Sequence, residues 1–213
     1  MTNTIYIVRH GQTEWNLLGK TQGHGNSDLT PKGIEQAELL ADSMTKYPID
    51  YIYSSDLGRA YQTAEIIGNK LSIEVEKTEA LREMNFGTWE GRIIKDIIEE
   101  DPELYKMWRN EPHLAKIPQG ETLSQIKERT DAFIKEINEK YDGKHIVLVT
   151  HSLCARIMLL SFLDSSVQNI YRINQGNTAL NIIELRDYGP VVMKMNDTTH
   201  IINDTKLENS ALE

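Results

Sequence analysis

The sequence contains a single cysteine, Cys154, in 213 residues, so no internal disulfide can form. Its first ten residues, MTNTIYIVRH, have neither a cationic leader region nor a long apolar stretch, and the two absences together point to the cytoplasm. No apolar run approaches the roughly 18 residues needed to span a bilayer, which excludes a membrane enzyme. Basic excess is missing as well. With 32 acidic and 23 basic side chains the formal charge is −9, which leaves no footprint for nucleic acid or anionic lipid; a phosphorylated ligand requires a locally basic pocket. There is no repeat of fixed period and no low-complexity segment, so solenoid and linker architectures drop out.

Several familiar reaction signatures are also lacking. Neither HExxH nor a P-loop pattern occurs, and the six histidines (His10, His24, His113, His145, His151, His200) are scattered, which argues against a zinc or two-metal hydrolase. Cys154 and Arg156 are only two positions apart, unlike the cysteine-dependent phosphatase loop, so Cys154 reads as helix packing. The sequence calls for no metal and no cofactor.

What is present is a chain that is 39% hydrophobic, enough for a sizeable core at this length. We read residues 1–213 as one domain with an insertion. Thr4–Val8, Asp50–Ser54 and Ile146–Thr150 are short apolar runs of the kind buried strands show. Thr30 and Pro31 mark a helix start, as N-cap and first helical residue, and the helix runs to about Lys46. Leu57–Leu71, Glu121–Tyr141 and Ser152–Leu163 carry helical spacing, and Ala179–Leu185 with Val191–Met195 form a late strand pair joined at Gly189-Pro190. Strand–helix alternation predicts an α/β fold, a largely parallel sheet covered on both faces. From about 88 to 120 the composition shifts, with Trp89, Trp108 and three prolines, and reads as a helical cap. The polar stretch from about 196 to 213 reads as a mobile tail or a flap over the site.

Ligands of parallel sheets bind beyond the carboxyl ends of strands. Two strands end in histidine: His10 follows IYIVR and precedes Gly11, and His151 follows IVLVT and opens a helix at Ser152. An imidazole beside a residue without Cβ can approach an anionic phosphorus closely, which makes His10 a candidate nucleophile. A single such histidine more often only caps its strand; the second one and the nearby arginines shift the balance. Arg9 adjoins His10, and the two reach one pocket only if the strand has already turned there. Arg59 sits in the first turn of a helix, where a bound phosphate offsets the unfavourable dipole. His151 and Ser152 mark a helix N-terminus suited to an anion, although Ser152 also serves as a plain N-cap. Glu83, among apolar neighbours in LREMNFG, has the setting of a proton donor whose pKa burial raises.

Six elements in order then resemble the histidine phosphatase superfamily, which includes cofactor-dependent phosphoglycerate mutases and many small phosphatases. They are VRHGQTEWN at 8–16, TQG and LTPKG within 21–33, SSDLGRAYQTAE at 54–65, LREMNFGTWEG at 81–91, GETL at 120–123 and VTHS at 149–152. The resemblance implies a three-layer α/β/α sandwich with a helical cap. It implies His10 as the phosphorylated residue, Arg9, Arg59 and His151 gripping the phosphoryl group, and Glu83 as proton donor. Asn16 and Gln22 match positions whose amides bind phosphate oxygens, and Ser152 offers its backbone N–H. Ser152 and His24 stand where relatives often carry glycine and an aromatic residue, so substrate choice is where this chain departs from them.

The expected activity is hydrolysis of a small phosphorylated metabolite through phosphohistidine, by a monomer or homodimer. LREMNFGTWEG resembles the phosphatase branch, including α-ribazole phosphatase-like enzymes, more than the mutase branch. A phosphoglycerate mutase is the alternative, for which Lys95, Lys106, Arg109 and Lys116 in the cap would hold a second anionic group unless they are merely a solvated helical surface. A non-catalytic scaffold that binds phosphorylated ligands is the third reading; it needs neither a nucleophile nor an acid.

Overall fold

The computed structural model describes residues 2–201. Strands β1 (Asn3–Arg9), β2 (Tyr51–Ser55), β3 (Val75–Thr78), β4 (His145–Thr150), β5 (Leu180–Arg186) and β6 (Gly189–Asp197) form one sheet in the order β3-β2-β4-β1-β5-β6. The first four strands run parallel, and β5 and β6 form an antiparallel hairpin beside β1. Helices α1 (Glu14–Leu17), α2 (Pro31–Met44), α3 (Gly58–Leu71), α4 (Ile94–Glu100), α5 (Pro102–Asn110), α6 (Leu123–Lys140) and α7 (Ser152–Phe162) connect them.

Side-chain alternation along the strands builds a separate core on each face. Tyr6, Val8, Val147 and Val149 pack under α2 and α3 with Leu40, Met44, Ala64 and Ile67. Ile5, Ile7, Ile146 and Leu148 pack under α6 and α7 with Ile126, Phe133, Leu153 and Ile157. The result is the expected α/β/α sandwich. Thr30 caps α2 by accepting the Gly33 N–H at 2.9 Å, with Pro31 at the first helical position.

Four sequence-based boundaries change. Strand β3 (VEKT) escapes notice because it is a sheet-edge strand whose two central residues are exposed, so it lacks an apolar run. Helix α6 starts at Leu123, because Thr122 and Gln125 form a capping box and leave Glu121 outside the helix. Ser152 is the first residue of α7, not its cap; His151 occupies the cap position without a side-chain cap bond. Asn196 and Asp197 belong to β6, with Asn196 Oδ1 accepting the Gly176 N–H at 2.8 Å. Of the expected tail, residues 202–213 lie outside the described residues.

The 88–120 segment carries α4 and α5, but Trp89 and Trp108 are fully buried rather than lining a cleft. Trp108 meets Phe86, Trp89 and Tyr171 edge-on at centroid distances of 5.7, 6.4 and 6.2 Å. The cap therefore has its own aromatic centre joined to the α6/α7 core. Among the described residues no helix is long and apolar enough to cross a membrane.

Candidate active site

The carboxyl ends of β1, β4 and β2 lie side by side. Arg9 pairs with Thr150 in the parallel register, and the His10 N–H donates to Thr150 O at 3.0 Å. The strand ends at Arg9, so His10 is released from the sheet's alternation, as a shared pocket requires. Arg9 and His10 are both buried. The chain behind His10 is held by the loop before β5: Thr178 N–H and Asn177 Nδ2 donate to His10 O at 3.3 and 3.1 Å, and Arg9 Nη1 donates to Gln175 O at 2.6 Å.

The hydrogen bonds of His10 fix its tautomer. Gly11 O, 2.7 Å from Nδ1, can only accept, so Nδ1 carries the proton. Arg59 Nε, 3.3 Å from Nε2, can only donate, so Nε2 presents its lone pair. Burial first, then the charges of Arg59 and Arg9, hold the His10 pKa well below the ordinary imidazole value, against a smaller opposing effect of the Gly11 bond. His10 is thus held as a neutral imidazole with the lone pair of Nε2 turned to a guanidinium.

Arg59 lies in the first turn of α3, and its two terminal nitrogens each donate to a backbone carbonyl: Nη1 to Gly25 O at 2.8 Å and Nη2 to Gly23 O at 2.7 Å. That grip places Gln22 beside the site. Both polar atoms of its amide are buried without a hydrogen-bond partner among the described residues, as are His151 Nδ1 and Ser152 Oγ. Such atoms are costly inside a protein unless a ligand meets them. The His151 ring lies 5.2 Å from that of His10, edge to face, with Nε2 2.9 Å from Ser55 Oγ. Burial, then the charge of Arg59, keeps its pKa well below the usual range.

Two expectations meet a different local reason. A Cβ on Gly11 would lie 2.4 Å from Gly33 O, so its missing side chain lets the start of α2 approach. The same holds in reverse, since a Cβ on Gly33 would meet Gln12 O at 2.0 Å. Asn16 acts in the α1 capping box, its Oδ1 accepting the Thr13 N–H at 3.0 Å, and it accepts at 3.5 Å from Asn177, which also donates to His10 O.

Glu83 is buried, and its carboxylate takes the role of the absent α7 cap. Oε1 accepts from Met84 N and Cys154 N at 2.9 and 3.2 Å, and Oε2 from Leu153 N at 3.2 Å. The carboxyl is thus not in the purely apolar setting read from the sequence: three backbone N–H groups, two of them from the first turn of α7, surround it. Cys154 is buried in the same turn, and burial pushes its thiol pKa up to about 11, which suits packing and not nucleophilic attack.

Sequence reasoning missed the groups that hold these side chains: Ser55, Thr63, Gln175, Asn177, Glu121 and Arg129. For Gln175 and Asn177 the signal available was the polar run NQGNT at 174–178 directly before the apolar β5. The cap cations Lys95, Lys106, Arg109 and Lys116 are all exposed; Lys95 is 3.9 Å from Glu99, and Arg109 lies over the Tyr171 ring at 4.2 Å.

The sequence profile of the histidine phosphatase superfamily, branch 1, matches residues 5–198. A phosphoserine phosphatase 1 of Hydrogenobacter thermophilus is 31% identical over 197 residues, covering 92% of this chain and 93% of that protein. A probable phosphoglycerate mutase GpmB of Yersinia pestis is 32% identical over 202 residues, covering 92% and 94%. Among solved structures, a histidine-to-alanine variant of Entamoeba histolytica phosphoserine phosphatase in complex with phosphoserine is similar, at 31% identity and a TM-score of 0.85. That match covers 94% of this chain and 100% of the other.

Proposed function

Because this chain belongs to branch 1 of the histidine phosphatase superfamily, we propose that it hydrolyses small phosphomonoesters through a phosphohistidine at His10 Nε2. The observation that carries the proposal is the fixed tautomer of His10, a buried neutral imidazole whose Nε2 lone pair faces the Arg59 guanidinium.

In the first half-reaction the Nε2 lone pair forms the N–P bond as the P–O bond to the alcohol breaks. Glu83, protonated for this step, transfers its proton to the departing oxygen. Arg59 exchanges the imidazole for a phosphoryl oxygen, and Arg9, His151, Gln22 and the Ser152 N–H meet the others, with Asn16 at the rim. Their preorganised charges stabilise the equatorial oxygens as the group transfers. In the second half-reaction water attacks phosphorus and gives its proton to Glu83; the N–P bond breaks and its electron pair returns to Nε2. In this reading Arg9 and Arg59 supply the positive charge, a role that calls for no metal ion.

The names of the relatives make phosphoserine, with phosphoglycerate as its close analogue, the first substrates to assay. The mutase-named relative keeps isomerisation as a second reading. The outward cap cations favour hydrolysis, because a mutase needs a second anion subsite. The test is to incubate the protein with labelled phosphomonoesters in the presence of chelator, then assay acid-labile phosphohistidine and free phosphate. Phosphoenzyme with phosphate release supports the phosphatase. Trapping with bisphosphoglycerate-dependent isomerisation and no release supports the mutase, and binding without phosphoenzyme leaves a scaffold. Full activity in His10→Ala would overturn the assignment.

A further inference from the structure

Behind Glu83 a second group of charges grips the segment that carries it. Arg129, from α6, donates from Nη1 to Ala80 O at 2.8 Å and from Nη2 to Glu83 O at 3.0 Å. The same guanidinium forks onto Glu121, with Nε 3.2 Å from Oε1 and Nη2 3.4 Å from Oε2. Glu121 in turn pairs with the backbone of Asn85 in both directions. Its Oε2 accepts the Asn85 N–H at 2.8 Å, and its own N–H donates to Asn85 O at 2.8 Å. His24 adds a further donor, with Nε2 3.0 Å from Glu83 O and 3.9 Å from Glu121 Oε2.

The arrangement has a mechanical meaning. Residues 80–85 have no strand or α-helix of their own to fix them; only a 3-10 turn covers Glu79–Leu81. Their carbonyls at positions 80, 83 and 85 are pinned instead by α6 and by the loop just before it. The far end of the Glu83 side chain is pinned by the first turn of α7. The carboxyl is therefore located from both ends, by two helices that themselves pack together. Arg129 is suited to this because its planar fork meets two carbonyls and a carboxylate at once, which a lysine ammonium cannot reproduce.

We propose that Arg129 and Glu121 are positioning residues for proton transfer, a clamp that sets where the Glu83 carboxyl meets the leaving oxygen. The proposal rests on the reading of Glu83 as general acid. Losing the clamp lets the 80–85 segment shift, and a misplacement of about 1 Å costs on the order of 10²-fold in rate. That loss falls on substrates whose leaving group needs a proton. Nitrophenolate departs as an anion and does not.

The experiment measures kcat/KM, which reports the step that phosphorylates His10, for phosphoserine and for p-nitrophenyl phosphate. Arg129→Lys and Glu121→Gln are compared with Glu83→Gln as the reference, and thermal midpoints verify folding. The expected result is a loss of roughly 10- to 100-fold on phosphoserine in both clamp variants, with p-nitrophenyl phosphate turnover changed by less than about 3-fold. Glu83→Gln shows the same selectivity, more strongly. Equal losses on both substrates in the clamp variants, or no loss at all, with Glu83→Gln still selective, overturn the clamp. A Glu83→Gln variant without selectivity overturns the acid assignment and the clamp with it. If Arg129→Lys does not fold, Glu121→Gln decides alone.

Discussion

At the scale of single residues the imidazoles of His10 and His151 are the most consequential groups, because both are buried and both are held neutral. In the unfolded chain a histidine titrates near pH 6.5. In the folded protein both pKa values lie well below that, so between the two values the unfolded chain binds more protons. Stability therefore rises with pH through this window and is lost as the pH falls below about 6.5. Thermal midpoints from pH 7.5 down to 5 are expected to fall more steeply in the native protein than in His151→Gln, which has one such buried imidazole fewer to charge; identical slopes would count against this account. The same depressed pKa keeps the proposed nucleophile, His10, unprotonated into mild acid. The acidic limb of kcat/KM, a property of the free enzyme, is expected below pH 6.5, and a pH–rate profile checks it.

At the scale of elements, Glu83 joins an active-site loop to a helix start. Glu83→Ala strips the Leu153 and Cys154 N–H groups of their buried acceptor, an expected cost of about 1–3 kcal/mol in urea unfolding. Glu83→Gln retains one amide oxygen as acceptor and is expected to lose less. This capping role was not legible in the sequence, since it joins positions far apart in the chain and α7 carries no capping side chain of its own at His151. What was legible was local. Apolar β-branched runs announced β1 and β4, and the Thr30-Pro31 pair announced α2, because those signals lie inside a single turn or strand. The candidates Arg9, His10, Arg59 and His151 could be picked out because strand ends and helix starts in a parallel sheet fall on one edge, whereas Glu83 stood out only by its apolar neighbours and the family resemblance. Their supports, Gln175, Asn177 and Arg129, act mainly through backbone carbonyls, and no residue pattern encodes which carbonyl a side chain will find.

At the scale of the whole molecule, the site draws on both faces of the sheet. Arg59 comes from the α2/α3 layer, and Glu83 is held by the α6/α7 layer. An anion bound between them ties the two layers together and opposes global unfolding. Inorganic phosphate or vanadate at 100 times its dissociation constant is expected to stabilise the fold by about 2.7 kcal/mol. Calorimetry should show a raised thermal midpoint in the native protein and little change in Arg59→Ala; an equal rise in both would mean that the anion binds elsewhere. Chelator should leave kcat unchanged. The backbone contact of Gly11 with Gly33 bears on how such a molecule can be rebuilt. Because Gly11 leaves room for the main chain of Gly33, and Gly33 for that of Gln12, the loop after His10 and the start of α2 form one joint. A chimera that grafts either from a relative without the other inherits half a hinge, and the two segments have to be exchanged together.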